Sequence, residues 1–210
     1  MLKQLFCLAG FFFGTASLSA LAQVQYLQDI NGRPIIERQY THVEGSPYLF
    51  EDWKAGVVRL KSGATYKDIM LKYDQVAEEL LFRHNGQALT FVEPVIEFRF
   101  TGGPLYRAGY GNSFHEILSD GGTKLIRRKM KQVTENREYN SASVTRKFVE
   151  VEALFIVKGG EPVRVRKDKK SVLAALGDKT PQLENYIRSE RLNLRQEADI
   201  ARLVEYYNTL

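Results

Sequence analysis

The chain is almost free of cysteine, and this scarcity excludes several kinds of chemistry. Cys7 is the only cysteine among 210 residues, and it lies in the middle of an apolar N-terminal run. A lipoprotein signal needs its cysteine after small residues at the end of such a run, so Cys7 predicts no lipid anchor. Without residues 1–22 the chain has no disulfide, no thiolate nucleophile and no cysteine metal site, and its core alone must hold the fold.

The sequence also lacks a large net charge, closely spaced histidines, and any long apolar run after the N-terminal one. The formal net charge is +5, a mild value that is typical of a mixed-sign solvated surface. His42, His84 and His115 are too far apart in sequence for a shared metal site of ordinary spacing, so no metal and no cofactor is predicted. No run after the N-terminus is long enough to span a membrane. No nucleic-acid-binding motif is present either, so nucleic acid is not an expected partner.

The first 22 residues have the order of an export signal. Lys3 gives a positive start, residues 5–13 are dense in Leu and Phe, and Ala20-Leu21-Ala22 places small residues where signal peptidase needs them. The sequence therefore predicts cleavage after Ala22. The remaining 188 of 210 residues are expected to form a periplasmic or secreted protein.

Residues 23–167 are predicted to form a β-rich antiparallel domain. Residues 57–61, 95–100 and 163–166 alternate apolar and polar side chains, and residues 80–82, 87–91 and 148–157 are rich in aromatic and β-branched residues. Glycine-containing turns separate these runs: Asn31-Gly32, Ser62-Gly63, Asn85-Gly86, Asp120-Gly121-Gly122 and Gly159-Gly160. The spacing predicts an antiparallel curved sheet or an incomplete barrel with one solvated face.

Residues 168–210 are predicted to form a C-terminal cluster of short helices packed on this domain, which makes the whole chain α+β. Asp168 is expected to cap a helix over 169–176 that Gly177 ends, and Thr180-Pro181 is typical of a second helix start. A third helix is predicted from about residue 195 to 208, with Asn193 as its cap. Its apolar stripe should dock on the rest of the protein: Ile200, Leu203, Val204 and Tyr207.

Two glycine- and aromatic-rich stretches, residues 41–53 and 101–112, are predicted to be loops. We hypothesise that their aromatic residues form a surface for a ligand or partner, since loops often carry function: Tyr48, Trp53, Tyr106 and Tyr110. The alternative is that Tyr48 and Trp53 close one end of the sheet as core residues.

Two basic stretches, residues 124–131 and 164–170, raise a second binding hypothesis. If their strands are neighbours, they make a cationic patch for lipid phosphates or acidic glycans: Arg127, Arg128, Lys129, Arg164 and Arg166. The alternative is a solvated face balanced by Glu150, Glu152 and Glu161.

No catalytic residue is predicted. Ser46 is followed by Pro47 and by no helix, so it lacks the setting of a hydrolase nucleophile and is better explained as part of a rigid turn. Glu78 and Glu79 are adjacent, and on a strand they would point to opposite faces. Glu150 and Glu152 would share one face and pair with lysines across it.

Several segments together resemble a group of exported Bacteroidota proteins of unknown activity. They are Gly45-Ser46-Pro47-Tyr48-Leu49, residues 56–60, 62–63, 66–68 and 71–74, and the terminal stretch 203–208. The resemblance implies an envelope or secreted location and carries no functional residue. The sequence as a whole predicts a non-enzymatic module that binds lipid, glycan or a partner protein. A hydrolase acting on envelope glycan or lipid, through carboxylates that the fold brings together, is the alternative.

Overall fold

A computed structural model of the protein describes residues 32–34, 40–109, 113–137 and 144–210. The predicted export signal, Asn31 of the first predicted turn, and Tyr110 lie outside the described residues.

The described residues contain one twelve-stranded open sheet, which confirms the predicted β-rich α+β class. The strands are β1 (Gly32–Pro34), β2 (Val43–Glu44), β3 (Lys54–Leu60), β4 (Thr65–Asp74), β5 (Glu79–His84), β6 (Gln87–Phe91), β7 (Val95–Phe100), β8 (Leu105–Ala108), β9 (Phe114–Ser119), β10 (Thr123–Arg137), β11 (Val144–Lys158) and β12 (Glu161–Val165). Their order is β1-β6-β5-β4-β3-β7-β8-β9-β10-β11-β12, with β2 added to β11. Neighbouring strands are antiparallel except for β2 and β11.

Four of the predicted glycine turns connect consecutive strands, at residues 62–63, 85–86, 120–122 and 159–160. Asn85 and Gly86 have φ values of 49° and 79°, the left-handed pair that a two-residue hairpin turn requires. The fifth predicted turn, Asn31-Gly32, is wrong for Gly32, because Gly32 begins β1.

The first core is an aromatic cluster enclosed by β3 to β9, with Tyr73, Phe98 and Phe114 at its centre. The rings of Tyr73 in β4 and Phe114 in β9 meet edge to face at 5.6 Å, although three strands, β3, β7 and β8, lie between β4 and β9 in the sheet. This contact requires a strongly curved sheet. Gln75, just after β4, adds to the curvature because its carbonyl accepts a hydrogen bond from the Lys131 N–H of β10 at 3.2 Å.

The second core lies between one face of β10–β12 and the helices α1 (Lys169–Leu176), α2 (Thr180–Ser189) and α3 (Glu197–Thr209). All four residues of the predicted α3 stripe are buried in it, together with Leu125, Leu154 and Ile156 of the sheet. Asp168 caps α1 as predicted, since its Oδ1 accepts from the Ser171 N–H at 2.7 Å. No helix of the described residues is long and apolar enough to cross a membrane.

The predicted cap of α3 is wrong. The capping position is Gln196, and no side chain caps there. Asn193 closes the preceding turn instead: its Oδ1 accepts from the Arg195 N–H, and its own N–H donates to Asp199.

Candidate functional site

The five residues of the predicted cationic patch do not form one patch. Arg127 lies opposite Leu154 of the second core, so it points to the helix side of the sheet. Arg128 is its direct neighbour on β10 and therefore points to the other face, because successive strand residues alternate. Arg164 shares that other face, as the cross-strand partner of Phe155.

Arg127 is instead the centre of a charged seam between the sheet and α3, formed by Glu116, Arg127, Glu152, Lys167 and Glu197. Its guanidinium donates to both oxygens of Glu116, at 2.6 and 3.0 Å, and to Glu197 at 2.6 Å. Lys167 extends the seam to Glu197 at 2.6 Å and to Glu152 at 3.5 Å. Burial disfavours the ionised form of Glu197, but Lys167 and Arg127 outweigh it and hold the pKa of this carboxyl below its usual range.

The remaining basic residues of the prediction are mostly neutralised as well. Lys129 lies 3.6 Å from both Glu150 and Glu152, which share one face as predicted. Arg128 donates to Glu78 at 2.5 Å, and the highly exposed Arg166 donates to Asp168 at 3.1 Å. Only Arg164, among these five, has no carboxylate partner within the described residues.

Tyr106 is a core residue and does not belong to a surface loop. Residues 105–108, expected to be a loop, form β8, and the Tyr106 ring stacks on Phe98 with centroids 4.8 Å apart and planes 9° apart. Burial raises the pKa of the Tyr106 phenol to about 12. The prediction that Tyr106 faces a ligand together with Trp53 is therefore corrected, and Tyr110 lies outside the described residues.

Tyr48 and Trp53, in contrast, are brought together by two basic side chains. The Lys72 ammonium lies 4.1 Å from the centroid of the Tyr48 ring and 5.8 Å from that of Trp53. The Arg83 guanidinium carbon lies 4.7 Å from the Trp53 ring centroid. We call Tyr48, Trp53, Lys72 and Arg83 the aromatic–basic cluster.

Strand alternation places this cluster on the outer face of the sheet. Leu71 and Tyr73 point into the first core, so Lys72 between them points outward. Arg83 follows the buried Phe82 on the neighbouring strand and points outward for the same reason. The cross-strand partner of Lys72 is Leu81, which is only 5 % exposed although it belongs to neither core.

The loop that carries Tyr48 is fixed by hydrogen bonds to its backbone N–H and carbonyl groups. Lys131 donates its ammonium to the carbonyl oxygens of Ser46 and Tyr48, at 2.9 and 2.6 Å. The Leu49 N–H donates to the Tyr73 carbonyl at 2.9 Å. The Ser46 hydroxyl accepts from the Tyr48 N–H at 3.3 Å, as expected for a turn residue.

Within the aromatic–basic cluster, the positive charge of Arg83 is not neutralised by a carboxylate of the described residues. Arg83 is exposed and forms no ion pair with a described residue, so its N–H groups remain available to an anion. An aromatic ring holds a guanidinium in place without cancelling its charge. The exposed Phe50, with the Lys54 ammonium 5.8 Å from its ring, extends the same type of surface along the 50–54 segment.

Carboxylates also line an open groove of about 360 Å³ at the end of the first core. Glu78 and Glu79 both line it, together with Glu93. The expectation that Glu78 and Glu79 point to opposite faces holds for a strand, and Glu78 lies in a turn with φ of 54°, before β5 begins at Glu79. Glu78 is bound by Arg128, and Glu93 accepts hydrogen bonds from the Ser62 N–H and hydroxyl.

No group of three or more metal-ligating side chains converges within the described residues. Comparison with known proteins gives no match: no family model, no curated protein and no solved structure is similar to this chain. The resemblance to exported Bacteroidota proteins stays a prediction.

Proposed function

We propose that this protein is an exported, non-enzymatic binding module of a bacterial envelope, and that its aromatic–basic cluster binds an acidic glycan. The observation that carries the proposal is the position of the Arg83 guanidinium over the Trp53 ring, beside Lys72, on the outer face of the sheet. The order of charge, apolar residues and small residues in residues 1–22 supports export.

Acidic glycans fit this surface for two physical reasons. Their carboxylates accept two parallel hydrogen bonds from a guanidinium, and the Trp53 ring, 4.7 Å from the Arg83 guanidinium carbon, holds this side chain in place before a ligand arrives. An oriented side chain loses less conformational entropy on binding, so more of the interaction energy appears as affinity. Sugar rings can then contact the edges of Tyr48 and Trp53, since aromatic side chains give large contact area at low entropy cost.

The test is equilibrium binding of polygalacturonate to the protein, with the fully methyl-esterified polymer as the uncharged counterpart. We expect polygalacturonate to bind and the ester to bind at least about ten-fold more weakly, because a charge-assisted hydrogen bond contributes roughly 1.5–3 kcal/mol. Arg83→Gln should cause a similar loss. Arg99→Gln, an exposed arginine of β7, is the matched control and should bind like the parent protein.

Equal binding of the two polymers, or equal effects of Arg83→Gln and Arg99→Gln, would contradict the proposal. Export has its own measurement, the intact mass of the protein in the envelope fraction. We expect a chain that begins at Gln23, and a chain that still contains Lys3 would contradict the export prediction.

A hydrolase remains a second candidate because Glu78 and Glu79 line one groove. The Glu79 side chain forms no hydrogen bond or ion pair with a described residue, so it is the carboxylate of this groove that we would assign to catalysis. Incubation with polygalacturonate and assay of new reducing ends tests this candidate. Release that Glu79→Gln abolishes would favour the hydrolase, and no release would favour the binding module.

A further inference from the structure

An apolar groove of about 330 Å³ crosses the sheet face opposite the helices, between β8 and β12. Its floor consists of Ile117, Ile126 and Val157, and Pro162 closes one side. Strand register explains why these side chains meet: Ile126 pairs with Ile117, and Val157 pairs with Pro162. The residues between them along β10 and β11, such as Leu125 and Ile156, point to the helices instead.

The apolar residues of this groove belong to neither of the two cores. Ile126 is only 6 % exposed, yet it belongs to neither core. Its cross-strand partner Phe155 extends the apolar row toward β12 and is half-buried. Ile117, Ile126 and Phe155 thus form a continuous row across three neighbouring strands.

Positive charge borders this row on two sides. Arg164 ends it, as the cross-strand partner of Phe155, and forms no ion pair with a described residue. Lys124 lies in the adjacent row opposite Val157. Asp120 lies 4.0 Å from the Lys124 ammonium and is held more closely by Arg107, at 3.0 Å.

We propose that this groove binds a fatty acid, with its chain along Ile117, Ile126 and Val157 and its carboxylate at Lys124. An apolar floor matches a hydrocarbon chain, and a bordering ammonium matches a single anionic end group. A sugar ring offers no comparable apolar surface, so this site goes beyond the glycan site at the aromatic–basic cluster and does not depend on it. The cavity is at the small end of ligand sites, which favours a chain of medium length.

Binding of dodecanoate to the full mature chain, measured by calorimetry, tests the site, with dodecan-1-ol as the uncharged probe. We expect dodecanoate to bind at least about ten-fold more tightly than the alcohol, and this preference to shrink in high salt. Val157→Gln places a polar amide in the floor and should weaken dodecanoate about ten-fold. Val163→Gln is the matched control, because Val163 is an exposed valine whose partner Ile156 faces the helices.

Lys124→Gln tests the contribution of the ammonium to binding independently of the apolar floor. Lys124 is partly exposed, so the fold should be retained. The substitution should reduce dodecanoate binding to the level of the alcohol and leave alcohol binding unchanged. No binding of dodecanoate, equal affinity for acid and alcohol, or equal effects of Val157→Gln and Val163→Gln would each overturn the proposal. Polygalacturonate binding by the same variants distinguishes its failure from failure of the glycan site.

Discussion

Replacing Arg127 with methionine should destabilise the protein strongly, because it leaves a buried carboxylate without its cation. Glu116 is 7 % exposed, and both of its oxygens accept from the Arg127 guanidinium. Removing one partner of such a buried pair costs about 3–5 kcal/mol. Glu197 keeps Lys167 at 2.6 Å and therefore contributes little to the loss.

The assay is equilibrium urea unfolding, followed by far-ultraviolet circular dichroism and by the fluorescence of Trp53. The matched control is Arg146→Met, because Arg146 also pairs with a glutamate, Glu135 at 2.7 Å. Both members of that pair are more than half exposed, and exposed pairs are worth about 1 kcal/mol or less. We expect the midpoint to fall sharply for Arg127→Met and hardly at all for Arg146→Met.

A double variant shows whether the burial of Glu116 is the cause. Arg127→Met combined with Glu116→Leu also removes the unpaired Glu116 carboxylate. This double variant should recover most of the lost stability, since buried pairs can be replaced by apolar residues at small cost. Equal, small losses for Arg127→Met and Arg146→Met would refute the reasoning. A double variant no more stable than Arg127→Met would show that the loss comes from packing.

Three further predictions concern the helices and the sheet. Leu203→Ala should cost about 2–5 kcal/mol in the free energy of unfolding because Leu203 is fully buried, whereas the exposed Glu205→Ala should change it by about 0.5 kcal/mol or less; similar small values in urea unfolding would show an undocked α3. The pKa of Glu197 is lowered in the folded protein, so its contribution is present above the unfolded pKa of about 4.3 and is lost as pH falls through the folded value; a pH series should show stability falling there, and less steeply in Glu197→Gln. Gly56→Ala should lower the thermal midpoint, because a Cβ there would lie 2.5 Å from the Arg99 carbonyl oxygen and 2.8 Å from Leu71, while an unchanged midpoint would show that β3 and β7 can separate.

The strands with regular alternation between glycine turns could be predicted from the sequence. β6 and β7 begin and end where the pattern placed them. β4 was not recognised, because Asp68 has a positive φ of 56° and the register with β3 shifts nearby, so its buried residues do not alternate strictly. Local alternation thus predicts a strand only where no bulge interrupts it.

The charged residues of β10 conceal which of its faces is covered by the helices. Arg127 and Lys129 point to the helix side, where an apolar residue would be expected, and their partners are glutamates of other strands and of α3. Polarity along the chain therefore does not reveal which face of β10 is covered. Tyr106 was misplaced for a related reason, since the short β8 lies within a glycine-rich stretch whose composition is typical of a loop.

The aromatic–basic cluster shows why a basic run in sequence is a poor guide to available charge. Adjacent residues of β10 separate to opposite faces, and Arg127, Arg128 and Lys129 each meet carboxylates at 3.6 Å or less. Arg83 stands alone in sequence among neutral neighbours, and its partner is the Trp53 ring, which does not oppose its positive charge. A carboxylate fixes a basic side chain and cancels its field, whereas an aromatic face fixes it and leaves the field intact. Arg83, held at Trp53, therefore offers an anionic ligand positive charge that Arg127, Arg128 and Lys129 do not.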